Sequence, residues 1–180
     1  QGVYVPGAAV GFVAVNDGVR DDDARLKIAK AYADRQSTYI KAMDDAAGDP
    51  SVRNSEAYAK ADEFLTKTVQ DPSLREEEVI ARYDEVSKSL ASSVNRAGDA
   101  RKDDYRALLS NVSKAFMDRV SLENPEAVKP KTEEALIEMN ANLTGAGIDM
   151  EAVRTEWKGD ELSTDLGLKS SERIRVVIAR

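Results

Sequence analysis

The side chains best suited to chemistry in this sequence are carboxylates, and they crowd into two runs, Asp21-Asp22-Asp23 and Glu76-Glu77-Glu78. A hard cation such as Ca²⁺ or Mg²⁺ needs several oxygens converging on one point, commonly from a loop with spaced acids and a glycine turn. Neither run has that spacing. Both fall where helices are predicted to begin, and the positive end of the helix dipole favours acidic residues there without any ligand. They read as helix starts, and no metal is expected.

The rest of the catalytic repertoire is thin. The 180 residues include no cysteine and no histidine. That removes thiol nucleophiles, disulfides, Cys- or His-ligated metals, imidazole bases and the Ser-His-Asp triad. Di-metal carboxylate bundles rely on Glu-x-x-His pairs and are excluded with them. Acid pairs for glycoside hydrolysis exist in any chain with 33 acidic residues, but a single Trp hardly furnishes sugar platforms. Ser87-Lys88 and Lys169-Ser170 place a hydroxyl beside an amine in sequence only, whereas nucleophile and base must meet in space. Gly7 and Gly11 lack the Gly-Lys-Ser/Thr that completes a phosphate loop. The sequence therefore assigns no catalytic residue and no cofactor.

Tyr32, Tyr39, Tyr58, Tyr83 and Tyr105 have two readings. All lie on apolar stripes, so they are core residues whose hydroxyls find polar partners. The competing reading has them line a small-molecule cavity between helices.

Helices must position all of these groups. Residues 1–19 form an extended segment, with Val3–Val15 suggesting short strands broken at Pro6-Gly7 and ended by Asn16-Asp17-Gly18. Residues 20–124 carry four apolar stripes of helical period. The first holds Ile28, Tyr32, Tyr39, Ile40 and Met43 and stops at Gly48-Asp49-Pro50. The second holds Ala57, Ala61, Phe64, Leu65 and Val69, up to Asp71-Pro72. Ser73 to Glu76 matches a capping box ahead of the third, which bears Val79, Tyr83, Val86, Leu90 and Val94. Gly98 closes that helix and Asp99 caps the fourth, which bears Tyr105, Leu108, Leu109, Val112, Phe116 and Val120.

Residues 125–180 continue with shorter helices capped by Thr132 and Asp149, carrying Leu136, Met139 and Leu143, then Met150, Val153 and Trp157. At the end, Ile174, Val176 and Ile178 alternate with other residues, which suggests a terminal strand; a last short helix is the competing reading. The fold expected is mainly α: a four-helix up-down bundle followed by shorter helices, with short terminal β-strands at either end.

A net charge of −7 disfavours nucleic-acid binding, which needs neutralised phosphates. The longest uncharged run, Gln1 to Asn16, is short of the roughly 20 residues that span a membrane, so no transmembrane segment is expected. The start at Gln1 instead of Met reads as removal of a targeting segment or as trimming. No compartment follows, although an extracytoplasmic, lumenal or virion setting fits best.

The function expected is that of a non-enzymatic structural or assembly subunit, docking through its termini into a larger complex. Its contacts would be Val3, Tyr4, Val5, Phe12 and Val13 from the apolar start, with Arg173, Arg175 and Arg180 from the basic end. Its partners would be other proteins or further copies of itself, including a position peripheral to a membrane complex. The alternative is an extracytoplasmic ligand-binding or sensory helical bundle with tyrosines in its pocket. A carboxylate-dependent hydrolase ranks last.

Overall fold

The structure, a computed structural model, describes residues 35, 37–71, 73–124, 127–157 and 170–179. Over these residues the chain is mainly helical, and no strand occurs among them. Helix α1 covers residues 37–46. A single turn, α2, spans Pro50–Arg53, and α3 spans Glu56–Glu63 before widening into a π turn, Phe64–Thr68. The two long helices are α4, Glu76–Arg96, and α5, Asp99–Glu123. They are followed by α6, Pro130–Gly145, α7, Met150–Glu156, and α8, Ser170–Ile178.

Local chemistry explains most of the boundaries. Asp49 caps α2 by accepting from the Ser51 amide at 2.8 Å, and Pro50 occupies the first helical position, where no N–H is needed. Ser55 caps α3 through the Tyr58 amide, and Asp149 caps α7 through the Glu151 amide, as its position in sequence predicts. Helix α6 ends in a Schellman turn: the amides of Gly147 and Ile148 donate back to the carbonyls of Thr144 and Leu143. Gly147 supplies the left-handed residue of that turn at φ 84°.

Three expected caps shift. Ser73 does not cap α4; its amide and hydroxyl donate to Asp71, and Arg75 precedes the helix, its amide directed at Glu78. Gly98, one residue before Asp99, is the N-cap of α5, and Ala97 closes α4. Lys129 precedes α6, while Thr132 lies inside it and is buried. For Ser73 and Thr132 a nearby carboxylate captures the side chain expected to cap.

One continuous apolar cluster runs from Tyr39 to Ile178. The predicted stripes supply it: Val79, Tyr83, Val86, Leu90 and Val94 of α4 face Leu108, Leu109, Val112, Phe116 and Val120 of α5. That pair makes the most extensive helix contact, and α6 packs on α4 beside it. Tyr83 stacks on Phe116 at 4.2 Å between centroids and meets Phe64 at a tilt of 57° and 5.8 Å.

The C-terminal strand is replaced by a helix. Ile174, Val177 and Ile178 are buried at i, i+3 and i+4, and Val176 is 62% exposed. The alternation of Ile174, Val176 and Ile178 was only part of the pattern; including Val177 gives the helical period, and α8 lies on α6 and α5. The strands expected between Val3 and Val15 lie outside the described residues.

Candidate functional site

Helices α4 and α6 leave a groove of about 450 Å³ between them. Its floor is apolar, formed by Ile80, Ala81, Ala135 and Met139 with the ring of Tyr83 below. Its rim carries Glu77, Asp84, Glu134 and Glu138, with Lys88 and Lys131 among them. These residues share a face of each helix because they recur three and four apart. Lys88 Nζ stands 2.9 Å from Asp84 Oδ2 and 3.8 Å from Glu138 Oε1, joining the two walls. The facing Asp84 carboxylate holds the Glu138 carboxyl above its ordinary range, with desolvation adding to the effect and Lys88 opposing it.

Three polar knots lie deeper. The first surrounds Asp118 on α5, which is buried. Tyr39 Oη of α1 donates to its Oδ2 at 2.6 Å, and Trp157 Nε1 donates to its Oδ1 at 2.8 Å. Arg35 Nε lies 3.7 Å from the same carboxylate. Burial pushes the Asp118 carboxyl up, against the pull of Arg35, Tyr39 and Trp157. It also pushes the Tyr39 phenol up, and the adjacent Asp118 charge reinforces that shift.

Arg119, the next residue, forms the second knot and is 1% exposed. Its Nη1 donates to the carbonyls of Thr68, Val69 and Asp71 at 3.1–3.2 Å, and its Nη2 to that of Leu74 at 2.9 Å. Its Nε pairs with Glu123 at 2.7 Å. A guanidinium has five donors in a fixed fork, which suits it to collect the carbonyls clustered where the π turn ends. The third knot centres on Glu76, whose Oε2 accepts from Thr132 Oγ1 at 2.7 Å and from Asn124 Nδ2. Lys129 Nζ lies 3.6 Å from its other oxygen.

The sequence-predicted groups are placed as follows. Glu77 and Glu78 are exposed at the start of α4, as a helix-start role requires, and Glu76 turns inward. Among the described residues, no group of three or more metal-ligating side chains is arranged to hold an ion. Ser87 is buried and donates to the Asp84 carbonyl, while Lys88 turns to the groove, so the two do not form a dyad. Tyr39 and Tyr83 are buried with their hydroxyls bonded, Tyr83 to Ser113 at 2.6 Å; Tyr105 is buried, and Tyr58 is half-buried under Arg53. Of these four, only the buried ring of Tyr83 borders the α4–α6 groove.

Arg175 turns inward: its guanidinium lies 5.0 Å from the Trp157 ring centroid and donates to the carbonyls of Arg154 and Trp157. Arg173 is exposed. Val3, Tyr4, Val5, Phe12, Val13 and the Arg180 side chain lie outside the described residues.

Asp118 and Arg119 escaped the sequence reading, although a signal was present. Arg119 falls three residues after Phe116 and seven after Val112, squarely on the apolar stripe of α5. A charged residue at a core position of a helix implies a buried partner.

No helix among the described residues is long and apolar enough to cross a membrane. No protein-family model, curated protein or solved structure matches this chain.

Proposed function

We propose that the protein is a non-enzymatic structural or assembly subunit that docks into a larger complex through its termini. The observation that carries this reading is the setting of α8. Ile174, Val177 and Ile178 bury its inner face, Arg175 locks onto Trp157, and Asn140 Nδ2 donates to the Ile178 carbonyl at 2.6 Å. The outer face nevertheless displays an aliphatic side chain, Val176 at 62% exposure, one turn from exposed Arg173. A terminal helix fixed this firmly offers a partner a preorganised contact, which lowers the ordering cost of association.

The polar chemistry supports the same reading. Asp118, Arg119 and Glu76 each tie remote segments together, and their charges are spent on holding the helices. In this reading the first four helical stripes form an up-down bundle that serves as the rigid frame, and the ends make the joints.

Light scattering of the purified chain across a concentration series, alone and after deletion of residues 1–15 or the change Val176→Asp, tests it. Assembly that shrinks in either variant is the expected result. A monomer at every concentration, unaltered by both changes, overturns it.

A further inference from the structure

We infer that the groove between α4 and α6 receives the outer face of α8 from a second copy of this chain, giving head-to-tail association. The inference rests on the assembly reading and names its contact. Both walls of the groove place an acid one helical turn beyond an apolar residue: Ile80 then Asp84 on α4, Ala135 then Glu138 on α6. The outer face of α8 repeats that period with the opposite charge, Arg173 then Val176. Residues three or four apart stand about 5–6 Å from each other on a helix surface, so the two patterns have matching pitch.

The seat is open to an incoming side chain. Ile80 and Ala135 are partly exposed, and Asp84, Glu138 and Lys88 retain 40%, 50% and 62% of their side-chain surface. Val176 would rest on the apolar floor while the Arg173 guanidinium reaches the Asp84 and Glu138 carboxylates. A guanidinium there adds positive charge beside two facing carboxylates bridged by the Lys88 ammonium. Groove and helix are different surfaces, so such a contact does not close by two-fold symmetry and builds a ring or an open chain.

Sedimentation velocity over a concentration series on the full chain, with Glu138→Lys, Arg173→Glu and the double variant, tests the inference. All the altered sites are exposed, and circular dichroism verifies that helix content is kept. Each single reversal is expected to weaken association by about tenfold or more, because like charges are then juxtaposed. The double variant, with the charges exchanged, is expected to recover most of the loss. Association that ignores Glu138→Lys, or a double variant no better than the singles, overturns the groove contact while the assembly reading stands. A wild-type chain that stays monomeric overturns both. A monomer whose melting point rises with the small guanidinium agmatine, and not after Glu138→Gln, would make the groove a cation pocket and likewise overturn the inference.

Discussion

The Tyr39 hydroxyl lies 2.6 Å from the Asp118 carboxylate, joining α1 to α5 across 79 positions of sequence. The other carboxylate oxygen takes the indole N–H of Trp157 at 2.8 Å, so one buried acid gathers three stretches of chain. Its position makes Asp118 sensitive to proton concentration in a definite direction.

Burial raises the Asp118 pKa in the folded state above its unfolded value. A raised pKa means the native state binds the proton more tightly than the unfolded chain. The stabilisation is fully present below the unfolded value, near 4, and is lost as pH rises through the higher folded value. Asp118→Asn keeps an acceptor for Tyr39 or Trp157 but removes the titration. The wild type should therefore lose stability relative to Asp118→Asn as pH increases from 4 to 7 in parallel urea titrations. A difference that grows in favour of the wild type would mean that pairing with Arg35 outweighs burial.

Arg119→Met should be among the most damaging changes in the molecule. It strands the carbonyls of Val69 and Leu74, removes one of two donors from those of Thr68 and Asp71, and leaves Glu123 without its partner, at a cost of about 3–5 kcal/mol. Arg119→Lys should recover only part of that loss, since one ammonium cannot reproduce the planar fork. Denaturant midpoints of the two variants would rank them.

The three consecutive glutamates should respond unequally. Glu76→Gln turns an acceptor-only group into one with donors facing Asn124 and Lys129, and should cost about 1–3 kcal/mol. Glu77→Gln, at an exposed position, should leave the melting temperature nearly unchanged. Equal effects in a thermal melt would contradict the inward role given to Glu76.

Gly147→Ala should destabilise by about 1–2 kcal/mol, the cost of a left-handed conformation for a residue with a Cβ. The added carbon would sit 2.9 Å from Arg106 Nη2, and Arg106 Nε holds the Ala146 carbonyl at 2.8 Å. Gly147→Asn should be milder, because asparagine tolerates the left-handed region better. Chemical denaturation of both variants distinguishes backbone strain from a generic surface effect.

Periodicity made the helical core legible from sequence. Val79 to Val94 and Leu108 to Val120 were placed on inward stripes by spacing alone, and they are buried. The end of the chain was ambiguous because Ile174, Val176, Val177 and Ile178 satisfy a period of two and the helical period at once. Contact with α5, α6 and α7 selects the helix. The caps drifted for a different reason: Ser73 and Thr132 have side chains that fit a cap, but Asp71 and Glu76 compete for them. The polar knots were least accessible. A carboxylate's partners at Tyr39 and Trp157 depend on the packing of distant segments, which no local spacing encodes. The groove is of that kind too, since Asp84 and Glu138 face each other only once α6 has docked on α4.

The π turn at Phe64–Thr68 also says something about tolerance to changes in chain length. A widened turn holds one more residue than regular α-helical winding would need, and the Val69 amide reaches back to the Phe64 carbonyl at 3.0 Å to close it. Removing one exposed position, Lys67, would let the turn rewind as regular α-helix and so absorb the loss, leaving the residues beyond it in the same phase. Thr68 and Val69 would then keep their carbonyls on the side of Arg119. The widened turn is thus a length buffer, taking up a surplus residue without disturbing how the end of one helix meets a cation on another.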